Sequence, residues 1–225
     1  MKILKRIGWE ILEYLRRAVT PFAIKMMFGM TMFVLLLIEN TELRMILMFV
    51  LLVCDELLSF VLFRAIGEHA YKMKQAGLLG KENKPIGSAG ALGVYRPSKE
   101  YRPYKGFVIA VVSCIPAIAL MLATGLGGNL IARMALMLIY GWAYAPVVSF
   151  YMIGALGSAS EVQMIPVSSV WFSFIIIGVY CILSAVAYIL GGQKEKMRIF
   201  MLERSAQTIE KGRRQNLDDA GERKR

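Results

Sequence analysis

The stretch 49–60, FVLLVCDELLSF, sets Asp55 and Glu56 side by side inside an apolar run that otherwise reads as a membrane helix. How this stretch is read decides the fold, because a charged side chain near the middle of a bilayer costs roughly 3 kcal/mol or more unless it is paired, neutralised or hydrated. The run around it, Met45–Phe63, is close to the 20 residues that span a hydrocarbon core. Four similar runs accompany it: Pro21–Ile38, Phe107–Ala123, Leu130–Met152 and Val167–Leu190. With 57% hydrophobic residues, well above the content of ordinary soluble domains, the chain is expected to be an all-α integral membrane protein of about five hydrophobic helices.

The runs pair by their connections. ENTELR joins the first two and GLGGN joins the third and fourth, and both are short enough to close helical hairpins. This divides the chain into an amphipathic interfacial helix (1–20), a transmembrane hairpin (21–63), a basic loop (64–105), a second hairpin plus a last span (106–190), and a basic amphipathic or disordered tail (191–225). Early charge at Glu10, Glu13, Arg16 and Arg17 argues against a signal peptide.

Charge sets the orientation. Residues 1–20 carry five Lys/Arg against two acids, residues 64–105 nine against three, and residues 191–225 ten against six, while residues 153–168 carry no Lys or Arg. Basic segments stay cytoplasmic, so the N-terminus and the 64–105 loop are expected inside a bacterial-type plasma membrane. Five crossings are the first expectation, and they create a conflict, because they leave the basic tail outside. A fourth run that dips into the membrane and returns would remove it. YGWAYAPVV places Gly141, Trp142 and Pro146 near the middle of that run, where proline removes a backbone donor and kinks a helix.

Asp55 and Glu56 are the candidate site. They are expected to act either as a proton or cation site or as a structural lock between helices. Ser59 lies one turn along and is placed to hydrogen-bond either acid. Lys25 and Arg133 are the bases within the apolar runs, and hence the candidate partners. Adjacent helical positions point about 100° apart, so the two acids are expected to face different neighbours.

A second constellation, Tyr95-Arg96-Pro97 and Tyr101-Arg102-Pro103 followed by Tyr104 and Lys105, is expected to anchor among anionic lipid headgroups. The tail offers an amphipathic surface for membrane or cytosolic protein partners. No nucleic acid is expected, since positive-inside loops are basic without one.

His69 stands without a companion at metal-ligand spacing, the three cysteines lack C-x-x-C spacing, and neither H-E-x-x-H nor G-x-S-x-G occurs. No metal or cofactor is expected, and an enzyme is the less favoured class. The sequence reading is a small transport-related or complex-forming membrane subunit, with a structural or assembly subunit of a larger machine as the alternative.

Overall fold

The computed structural model describes residues 2–82, 101–127, 130–154 and 167–222, with side chains described for 11–74, 101–127, 131–151 and 168–210. These residues form five long helices: α1 (Lys2–Leu35), α2 (Thr41–Glu82), α3 (Lys105–Gly127), α4 (Leu130–Gly154) and α5 (Ser173–Glu222), the last preceded by a 3-10 turn over Val167–Phe172. Each contains a stretch long and apolar enough to cross a membrane. The 64–105 and YRP residues that fall in 83–100, including Tyr95 and Arg96, lie outside the described residues.

Two expected boundaries are absent. α1 runs unbroken from the amphipathic N-terminal part through Pro21 into the first span, and α5 continues from the last span to Glu222. A helix hydrogen-bonds within itself, so leaving the bilayer does not require it to end.

Contacts between named residues fix the direction of each helix. α3 and α5 are antiparallel: Gly106 packs on Tyr188, Ser113 Oγ lies 3.3 Å from Tyr180 Oη, and Gly125 packs on Trp171. α1 and α2 form the expected hairpin, with the Asn40 side chain accepting from the Leu43 amide (3.1 Å) and Arg44 donating to the Ile38 carbonyl (3.2 Å) at its turn. α2 and α5 run parallel: Gly67 packs on the Tyr188 backbone, and Glu68 pairs with Lys194 at 2.9 Å. Trp171 and Phe172 therefore mark the end of the bundle where α3 finishes.

α4 begins at that same end, with only residues 128 and 129 between it and α3. A straight helix from 130 to 151 would carry Tyr151 about 32 Å away, to the opposite end. Instead the Tyr151 ring lies 6.3 Å from that of Phe172, and Tyr144 Oη lies 3.4 Å from Ser169 Oγ. The helix bends at Tyr140 (φ −121°, ψ 31°) and returns. Within the bundle, four helices thus run from end to end, and α4 enters and comes back. The bend falls at Tyr140, next to Gly141 and one and a half turns before Pro146.

Burial agrees with this path. In α4 67% of the most apolar stretch is buried, against 22% to 39% in the other four helices. A returning helix has its ends and its bend at unusual depths, and it is tolerated where protein covers it. Gly29 and Gly141 make the close approach possible: a Cβ on Gly29 would meet the Gly141 nitrogen at 2.9 Å. One consequence is that the start of α1, the end of α2, residues 101–105 and the extension of α5 all share one end of the bundle.

Gly141→Ala and Gly29→Ala should each destabilise the protein by about 1–3 kcal/mol through overpacking. Gly178→Ala, whose Cβ would meet nothing within 4 Å, should be neutral or stabilising in the same denaturation assay. With a membrane-impermeant maleimide, cysteines placed at positions 2 and 215 should label from one side and a cysteine at 158 from the other. Labelling of 2 and 215 from opposite sides would overturn the returning path.

Candidate functional site

The acids of α2 meet a single base. Lys25 Nζ on α1 donates to Asp55 Oδ2 at 2.7 Å and to Glu56 Oε1 at 2.8 Å. The lysine and aspartate side chains are 2% and 0% exposed and that of Glu56 is 17% exposed, so the charges have almost no water to fall back on. The expectation that the two acids face different neighbours fails on this geometry. Lys25 enters between them on a long flexible stem, and the extra methylene of Glu56 swings its oxygen across the angle that separates adjacent helical positions.

The other helices close on the same ammonium. Lys25 Nζ lies 4.2 Å from the ring centroid of Trp142 on α4 and 4.2 Å from that of Tyr180 on α5. Those rings meet edge to face at 5.4 Å, and Tyr180 Oη reaches Ser113 on α3. A desolvated ammonium against an aromatic face gains about 2 kcal/mol per ring. All five helices thus supply a side chain to one cluster. Along α3, Ser113 lies about 12 Å from Lys105 and about 21 Å from Gly127, which places the cluster at the interior of a core about 30 Å thick.

The remaining predicted residues divide. Ser59 is buried on α2, but no hydrogen bond joins it to either carboxylate among the described residues. Arg133 is buried nine residues before Trp142, about 13 Å of helix toward the α3 end, so Lys25 is the partner the fold selects. Gly141 is at the bend, which places Trp142 over Lys25, whereas Pro146 lies on the returning arm.

In the expected lipid anchor, Arg102 and Tyr104 are exposed and joined by a 2.7 Å hydrogen bond. Tyr101 instead stacks on Tyr188 at 5.3 Å and packs on Gly192, and Lys105 is buried. Burial, with the Tyr71 phenol nearby, raises the Tyr101 pKa above its ordinary value.

Sequence reasoning missed Tyr180 and Ser113, and it used Trp142 only as a sign of an irregular run. A tyrosine and a tryptophan at the centre of apolar runs, rather than at their interfacial ends, were the available signal. Among the described residues no group of three His, Cys, Asp or Glu is placed to hold a metal ion. No family model, curated protein or solved structure matches the chain.

Lys25→Met should cost about 3–5 kcal/mol, because it strands two buried carboxylates. The triple variant Lys25→Met, Asp55→Asn, Glu56→Gln should recover most of that loss in equilibrium unfolding, which a simple packing defect at Lys25 would not permit.

Proposed function

We propose that this chain is a small polytopic membrane subunit of the complex-forming class, with Lys25, Asp55 and Glu56 as the lock that fixes its helix packing. The observation that carries this reading is the Lys25 ammonium, buried, bonded to both acids and faced by aromatic rings from two further helices. An arrangement in which four helices meet at one charge holds a specific packing, and replacing either partner alone is costly.

The extension of α5 supports a role in assembly. Beyond Glu195 the helix leaves the bundle with Met197, Phe200, Met201, Leu202 and Ile209 exposed among lysines and arginines. Such a surface suits a protein partner or anionic lipid headgroups. The concentration of basic segments at one end of the bundle favours placing that end, with the N-terminus, in the cytoplasm beneath a bacterial-type plasma membrane.

A transport-related role is the second reading. It is favoured by one feature of the same cluster: Asp55 Oδ1 and Glu56 Oε2 are buried with no hydrogen-bond partner among the described residues.

Exchanging the charges, Lys25→Asp with Asp55→Lys, should restore a folded protein that each single reversal loses, as judged by monodisperse yield from detergent. If the exchange fails while Asp55→Asn, Glu56→Gln folds normally and abolishes cation-dependent flux in liposomes, the transport reading replaces the lock.

A further inference from the structure

The lock is one positive charge short. Two carboxylates face one ammonium, and each keeps a second oxygen, Asp55 Oδ1 and Glu56 Oε2, buried without a hydrogen-bond partner among the described residues. Asp55 is completely buried, so its free oxygen has no solvent to turn to. Among the described residues the groups around the acids add no second cation: α1 supplies Lys25, α4 the Trp142 ring, α5 Tyr180 and Cys181, and α3 Ser113 and Cys114. Both ring faces are turned to the Lys25 ammonium, so the positive charge already present is the one they stabilise.

We propose that the free oxygens of Asp55 and Glu56 form a binding site for a single positive charge, which arrives as a proton or as a small alkali cation. This rests on the reading of the cluster as an intramembrane lock and adds what completes it. Uncompensated charge at this depth is unfavourable, and one bound monovalent cation makes the cluster neutral while it gives an orphaned acceptor a partner. A divalent ion would overshoot neutrality and leave the cluster with a net positive charge at a depth that disfavours it. The site therefore binds one unit of charge and couples its occupancy to the packing of α1 against α2.

The test uses the full-length protein in lipid nanodiscs. Its thermal unfolding is compared in Na⁺ and in N-methylglucamine at equal ionic strength, and the infrared spectrum is recorded at neutral pH. A midpoint higher by about 3 °C or more in Na⁺, with the difference lost in Glu56→Gln, identifies the alkali cation as the source. Equal midpoints together with the carbonyl band of a protonated carboxylic acid, absent from Asp55→Asn, Glu56→Gln, identify the proton.

The proposal is overturned if wild-type protein gives neither response, or if the Na⁺ effect persists in Glu56→Gln. Should a variant fail to fold, the wild-type midpoint and band decide alone, because a carboxylic acid still protonated at neutral pH is not one of the solvated acids of the tail. The charge-exchange experiment judges the lock itself, whichever way this titration turns out.

Discussion

One ammonium ion governs this fold. Lys25 lies where the bilayer would not tolerate a bare charge, so the protein must bring counter-charge to it, and Asp55 and Glu56 are positioned on the neighbouring helix to do so. Once that contact is made, the register of α1 against α2 is set, since sliding either helix by one turn would bury unpaired charge on both. Trp142 and Tyr180 then close on the same nitrogen, which extends the constraint to α4 and α5. Apolar packing in lipid has little preference of its own between alternative helix registers, so a polar contact of this kind decides among them.

Small residues let the other helices come near enough to participate. Gly29 against Gly141 permits the bend of α4 to reach α1, and Gly67 and Gly191 let α2 and α5 run backbone to backbone past Tyr188 and Arg64. The bend at Tyr140 carries Trp142 inward, and the returning arm is enclosed on nearly every side, so its interrupted backbone never meets lipid. Charge and shape cooperate here. The glycines create the approach, and the lysine rewards it.

Much of the architecture was legible in the residues. The number and approximate extent of the apolar helices followed from run length, and the first hairpin from ENTELR. The returning path of α4 was legible only as a conflict between five crossings and the distribution of lysine and arginine. Hydropathy has no term for direction, and a largely apolar run of 21 residues looks the same whether it crosses or turns back. Pro146 drew attention to the correct run but not to the correct residue, because the bend depends on where Gly141 meets Gly29, a contact 112 positions apart in the chain.

For the candidate site, the sequence by itself determined that Asp55 and Glu56 would need compensation in an apolar setting, and it narrowed the partner to Lys25 or Arg133. That follows from solvation alone, which any segment carries with it. Only the tertiary structure decided that Lys25 serves both acids, that Trp142 and Tyr180 face it, and that one oxygen of each carboxylate is left over among the described residues. Those facts depend on side-chain reach and on the relative depth of helices distant in sequence, and neither is encoded in the periodicity of a single helix.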